Sequence, residues 1–411
     1  MKRLMRYWDI FKMAISALWA NRLRSGLTLL GVIIGVTSVI TIISAIEGFM
    51  GSVQAEIDKL GPTTFIVDRM GMIMSEDDFL EAIKRKPLEI EYAEAIEEGC
   101  KDCEKIALQA YSFAPEIKYR DKKLRNVYIR GTSSEIIDIV EQEVDQGRFF
   151  SHEEDHDGRH VAFVGTTIQK QLFPNSDPIG KRIKIGNIKY DIIGVAKEQG
   201  ATFGHDADKV IFIPFNTFVK DFGEPRRNLH IYVKAKSMAV LDNAMDETRV
   251  VLRAYRHVPY DKEDDFSMLT AESIMNQFKE ITKFMRVGLV GITSISLVVG
   301  GIIIMNIMMV SVTERTREIG IRKSIGARQG DILTQFLFEA IVLSVGGGAI
   351  GIAIGMLLGS VLVGLINMDM SPSMLSILLG LGISSGIGLF FGIYPALKAA
   401  RLQPVKALSY E

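Results

Sequence analysis

The chain has 411 residues and a formal net charge of −1, from 48 basic and 49 acidic residues, so it lacks the strongly basic surface that a nucleic-acid partner demands. Hydrophobic residues make up 48% and mean hydropathy is +0.20, which excludes an ordinary soluble enzyme. Because 24% of residues are nevertheless charged, the charge must be segregated from long apolar stretches.

Residues 1–24 come first. Tyr7, Trp8, Phe11, Ile15, Leu18 and Trp19 recur at helical spacing among Arg6 and Lys12. That pattern predicts an amphipathic helix on the inner membrane face, with rings at headgroup depth and cations toward anionic lipid. Ser25–Ile46 follows, free of Asp, Glu, Lys and Arg and long enough to cross a bilayer. Its apolar core exceeds that of a secretory signal and no small-residue cleavage site precedes Glu47, so it reads as a retained span. Ile46, Met50, Val53 and Ile57 continue the helical stepping until Gly61-Pro62 stops it. Residues 25–60 are therefore a first span plus a stalk.

The segment 61–270 carries most of the charge and reads as a mixed α/β domain. Strands are predicted at Thr64–Val67, Asn126–Ile129, His160–Val164, Arg182–Val195, Val210–Pro214 and Leu229–Val233, and helices at Asp77–Glu98 and Ser237–Tyr255. Gly186-Asn187 reads as a hairpin turn. A strand-rich stretch of approximately 111–215, flanked by helix-bearing pieces, suggests an inserted subdomain. His152, His156 and His160 would suit a metal on a helix, but Gly158 and the turn-like composition argue for a loop. Cys100 and Cys103 are the only cysteines. A local disulfide or a pair of inert thiols fits them better than thioredoxin-like chemistry, which wants a strand before and a helix after.

Residues 271–312 return to the membrane. Ile274, Phe278, Ile281 and Met285 step at helical spacing as a second stalk, leading into the charge-free Val287–Val312. A charged segment, 313–333, comes next. Spans at Ala340–Ile366 and Ser371–Leu397 complete a set of four, and 398–411 is a short tail. Gly347, Gly351, Gly355 and Gly359 fall every fourth residue on the third span, a close-packing ridge. No span holds an ionisable side chain in its interior, which argues against an ion-coupled carrier.

Positive charge sets the orientation. It collects before the first span, between the second and third (Arg315, Arg317, Arg322, Lys323, Arg328) and after the fourth, while the turn Asn367–Ser373 has none. Both termini are therefore expected in the cytosol, and the large domain outside the cytoplasmic (inner) membrane.

An ATP site would need a phosphate-binding Gly-x-x-x-x-Gly-Lys-Ser/Thr run. The sole Gly-Lys pair, Gly180-Lys181, has Asn175 at the first glycine position and Arg182 after it. No catalytic or cofactor-binding residue is identified, so ATP and Mg are expected on a partner chain. The cytosolic segment Thr-Glu-Arg-Thr-Arg-Glu-Ile-Gly-Ile-Arg-Lys-Ser-Ile-Gly-Ala-Arg, Thr313 to Arg328, is where that partner would dock. Glu318 and Arg322 stand four apart in the favourable order, and Ile321 and Ile325 would fill a partner's groove.

That run resembles the signature of the MacB/FtsX-type permeases of the ABC superfamily, in which it forms the coupling helix against the ATPase. The resemblance extends to Asn21–Ile46 with Leu60-Gly61-Pro62-Thr63-Thr64, Gly147-Arg148-Phe149-Phe150, Leu172-Phe173-Pro174, Asp177-Pro178-Ile179-Gly180-Lys181-Arg182, Val210–Pro214, Tyr394-Pro395-Ala396 and Pro404-Val405-Lys406-Ala407-Leu408. It implies coupling roles for Glu314, Arg315, Arg317, Glu318, Ile319, Gly320, Ile321, Arg322, Lys323, Ile325 and Gly326. It also implies a homodimer or paralogous heterodimer, a porter-like part plus the strand-rich insertion outside, and mechanical transmission through the stalk. A membrane-fusion adaptor is a further implied partner. MacB itself carries its ATPase at the N-terminus of the same chain, so a separate ATPase subunit is expected here. Asp77–Lys105 is longer and more charged than the MacB pattern. The expected function is a non-catalytic permease driving export of an antibiotic, peptide, lipid or lipoprotein; the alternative is an FtsX-like permease that regulates an external hydrolase or senses peptides.

Overall fold

The computed structural model describes residues 22–140, 142–202, 205–365 and 374–408. The amphipathic helix expected over 1–24 lies almost wholly outside them, as does the turn Asn367–Ser373. The chain forms two compact units, one of Met1–Met50 with Glu280–Glu411 and the other of Gly51–Lys279.

Among the described residues four helices are long and apolar enough to cross a membrane: Arg22–Asp58, Ala271–Glu314, Gln329–Leu365 and Met374–Ala400. The first two have 37 and 44 residues, well beyond the roughly 20 that a bilayer core requires. Gly61 ends the first by taking φ +71°, with Pro62 behind it. The second starts at a reciprocal cap, in which Ser273 N donates to Thr270 Oγ1 (3.0 Å) and Thr270 N to Ser273 Oγ (2.9 Å).

Gly51–Lys279 is built on a ten-stranded sheet in which β12 (Ser267–Thr270), β1 (Thr64–Asp68), β11 (Leu229–Ala235), β2 (Cys103–Tyr119), β3 (Lys122–Thr132), β10 (Val210–Pro214), β5 (Val161–Val164), β7 (Ile188–Ala196) and β4 (Val144–Gly147) follow in that spatial order, β6 (Arg182–Ile185) pairs both β2 and β7, and β8 (Ala201–Thr202) and β9 (His205–Asp206) form a separate small ladder. The central strands are β1 (Thr64–Asp68), β2 (Cys103–Tyr119), β3 (Lys122–Thr132), β5 (Val161–Val164), β10 (Val210–Pro214) and β11 (Leu229–Ala235). β6 (Arg182–Ile185) and β7 (Ile188–Ala196) form the hairpin expected at Gly186-Asn187, with Gly186 at φ +58°. β3/β10 and β5/β7 are parallel; the remaining pairs are antiparallel.

Two expectations change. The helix expected over Asp77–Glu98 is two, Glu76–Ala82 and Glu91–Gly99, because Pro87 lies between them and neither its ring nor the residue before it suits a helix. Nor does the strand-rich stretch begin at a break in the sheet: β2 starts at Cys103, pairs with β11 through its first half and reaches β6 with its second.

Side chains alternate along a strand, and this sheet carries buried apolar clusters on both faces, although Phe113 and Tyr128 are exposed. Phe65, Val67, Ile129, Ile211, Ile213 and Ile231 enter the main core. Phe163, Val210 and Phe212 point the other way, as does Tyr232.

Candidate functional site

Beyond Glu314 the long second helix stops. Arg315 leaves helical geometry at φ −100°, ψ 14°, and a nine-residue helix, Thr316–Ser324, follows. Glu318 in its first turn and Arg322 and Lys323 in its last complement the helix dipole. Gly326, at φ +102°, turns the chain into Gln329–Leu365.

One face of this short helix is anchored. Thr316, Ile319 and Gly320 are buried, and a Cβ on Gly320 would stand 2.8 Å from Ala407 Cβ, so only glycine allows the close approach to helix Pro404–Leu408. Three of the basic residues turn inward. Lys323 Nζ donates to the carbonyls of Leu402 (2.7 Å) and Ala400, capping the helix Met374–Ala400. Arg322 donates to Gln335 Oε1 (2.6 Å) and to Glu318, and Arg315 Nη1 reaches Glu339 Oε2 at 3.4 Å.

The opposite face is open. Arg317, Glu318 and Ile321 are exposed, and Ile325 is 82% exposed just past the helix end. Glu314 and Gly326 are also exposed. In the adjoining helix Pro404–Leu408, a run quoted above for its resemblance but given no coupling role, Val405 is exposed, while Leu408 is partly exposed and lies beside Gly320. The open face thus sets the aliphatic side chains of Ile321 and Ile325 among the charged side chains of Arg317 and Glu318.

Behind it the spans pack through small residues. A Cβ on Gly347 would contact Val32 and Leu29, on Gly351 the backbone of Ile33 and Thr37 with Val36, and on Gly355 Ile40. Gly359 is buried. Thr37 Oγ1 donates to Gly351 O (3.0 Å) and Thr41 Oγ1 to Gly355 O (3.3 Å), so the ridge is bonded to the first helix as well as packed on it. Gly31 and Gly300 bring the first and second helices together, and Gly392 lies against Ala340 between the third and fourth.

Of the stalk residues, Ile46, Val53 and Ile57 are buried, Met50, Ile274, Phe278 and Ile281 half-buried, and Met285 exposed. The most buried positions on the second helix here are Met275 and Thr282 instead. They fall one residue after Ile274 and Ile281, so the buried stripe is rotated from the expected one by a single residue.

The MacB-like periplasmic core domain family matches residues 25–251, and the FtsX-like permease C-terminal family matches 290–404. The chain belongs to the MacB/FtsX-type family of ABC transporter permeases. It is 35% identical over 396 residues to the macrolide export ATP-binding/permease protein MacB of Bdellovibrio bacteriovorus, covering 95% of this chain and 60% of that one. It is 34% identical over 415 residues to the pyoverdine export ATP-binding/permease protein PvdT of Pseudomonas aeruginosa, covering 98% and 58%. The chain thus spans about 60% of the length of the curated relatives it matches. The periplasmic region of MacB from Actinobacillus actinomycetemcomitans aligns with a TM-score of 0.45 at 16% identity, covering 54% of this chain and 95% of that one.

Within this permease the remaining polar candidates have structural partners. His152–His156 is a one-turn helix where a loop was expected, because Ser151 and Glu154 form a reciprocal capping box. Its histidines face different carboxylates: His152 with Glu135 (3.0 Å) and His156 with Asp157 (3.7 Å), while His160 lies 3.1 Å from Asp221. Cys100 and Cys103 form a disulfide between the end of helix Glu91–Gly99 and the start of β2.

Proposed function

We propose that this chain is a non-catalytic permease subunit in which the outward face of Thr316–Ser324, with Ile325, docks a separate ABC ATPase on the cytosolic side. ATP with Mg binds that partner. Its closure is transmitted through the short helix to the long helices Arg22–Asp58 and Ala271–Glu314 and on to the outer domain, driving export of a substrate already outside the cytoplasmic membrane. A homodimer or a paralogous heterodimer, a membrane-fusion adaptor and surrounding lipid complete the assembly. The observation that carries this reading is the division of the helix into an anchored face and an open one: Lys323, Gly320 and Ile319 fix it, leaving Ile321 and Ile325 exposed beside Glu318. Macrolide and pyoverdine appear in the names of relatives, and the cargo proposed here is an antibiotic, peptide, lipid or lipoprotein.

The test is co-purification from native membranes in mild detergent. The unaltered chain is expected to bring an ABC ATPase and an adaptor, and Glu318→Lys or Ile325→Asp to lose most of the ATPase, by about tenfold. Retention of the ATPase by both variants would remove this face from the mechanism. A wall hydrolase or sensor kinase in place of an adaptor would turn the reading toward regulation.

A further inference from the structure

Gly51–Lys279 encloses a cavity of about 350 Å³ against the second face of its sheet. Strand alternation selects what lines it. Ile129 and Ile211 point into the main core, so their neighbours Arg130 and Phe212 point into the cavity. In register, Arg130 stands beside Tyr111 on one side and Phe212 on the other, and its guanidinium carbon lies 5.6 and 5.4 Å from the centres of those rings. Val53 and Ile57 of the first long helix and Ile274 and Phe278 of the second close the opposite wall.

The other polar groups around this space are paired. Lys59 Nζ donates to Glu56 (2.6 Å) and Gln199 (3.1 Å), and Gln199 Nε2 to Gln142 (2.8 Å). Tyr111 donates its hydroxyl to Gln109 Oε1 at 2.7 Å. Arg130 differs. Among the described residues no carboxylate pairs with it, and its Nε–H is shut off from solvent without an acceptor. A half-buried cation that stands between two ring faces with its Nε–H unmet keeps a strong donor free for a ligand, and a guanidinium is shaped to take a carboxylate through paired N–H groups. Ligand sites have this size, roughly 300–1,000 Å³, and combine apolar wall with convergent polar groups, here Phe212, Ile274 and Phe278 with Arg130 and Tyr111.

We propose that this cavity binds a small amphipathic anion, an aromatic body bearing a carboxylate, with the carboxylate on Arg130 and the body between Phe212 and the wall of Ile274 and Phe278. A ligand so placed touches the sheet and both long helices at once. The claim goes beyond ATPase docking and does not depend on it.

The probe is 4-benzoylbenzoate, an aromatic carboxylate that cross-links on illumination, applied to the full chain in lipid nanodiscs with no ATPase present. Mass spectrometry of cross-linked peptides is expected to show saturable labelling of segments that line the cavity, including that of Ile274 and Phe278. Arg130→Met should weaken labelling by the acid by about tenfold or more while leaving labelling by neutral benzophenone intact, which also reports that the cavity is still folded. Arg130→Lys should restore part of the acid labelling, and Ile274→Trp, which fills the space, should remove labelling by both probes. Acid labelling that does not saturate, that falls only on the membrane spans, or that Arg130→Met leaves unchanged would overturn the proposal. Because no ATPase is present, such a failure would leave the docking reading standing.

Discussion

Two buried charges in the outer domain illustrate opposite solutions to the same cost. Arg256 has a side chain with no exposed surface, yet every direction of its fork is used. It bonds both Asp265 carboxylate oxygens (2.7 and 2.8 Å) and the carbonyls of Lys86 (2.9 Å), Pro87 (3.1 Å) and Asp265 (3.2 Å). Arg256→Met would strand Asp265 and three carbonyls, and about 3 kcal/mol of stability should be lost, read as a lowered thermal midpoint of the full chain. Asp155 is buried and, among the described residues, pairs with no cation. Burial pushes its carboxyl up from the ordinary 3.8 to about 6, against the lowering pull of the Asn216, Ser134 and Phe215 amides. An acid whose folded value is raised gives stability that is full below its unfolded value and lost as pH rises through the folded one. Melting between about pH 4 and pH 6 should therefore show a decline on the order of 1–3 kcal/mol that Asp155→Asn flattens. An equal slope in the variant would place the pH dependence elsewhere. Neither role was legible in the sequence: Arg256 and Asp155 stand in ordinary polar segments, and only long-range packing encloses them.

At the scale of elements, legibility followed the strength of the local pattern. Val210–Pro214 forms a strand with the bounds its apolar run predicts, and the glycine-asparagine turn joins β6 to β7. Long apolar runs announced the four helices that, among the described residues, are long and apolar enough to cross a membrane. The charged Asp77–Glu98 misled, because its helix-forming composition hid the interruption at Pro87. β2 was largely missed, since its 17 residues mix Lys, Glu and Gln with small apolar residues and are held by partners on both sides rather than by alternation. The glycine ridge was legible as a contact but not as to its partner, which is the first helix. There Gly351→Leu would force a side chain against the backbone of Ile33 and Thr37. The expected cost is about 1–3 kcal/mol, measured as a lower melting temperature in detergent, with Gly346→Leu as the control because the space beside Gly346 is open.

For the whole molecule, the signal in the sequence was segregation: apolar spans, a charged domain between the first two, and basic short loops on one expected side. That pattern carried the architecture and the family. Within Thr313–Arg328 it carried the charge but not the division of labour, since nothing in the spacing says that Lys323 turns inward to cap a distant helix while Ile325 stays out. The most direct test of ATPase docking puts a photo-reactive amino acid in place of Ile325, or of the buried Ile319, and illuminates native membranes. A cross-link to an ABC ATPase from position 325 and none from 319 is the predicted result. An ATPase captured from neither position, or from 319 alone, would contradict docking on the open face.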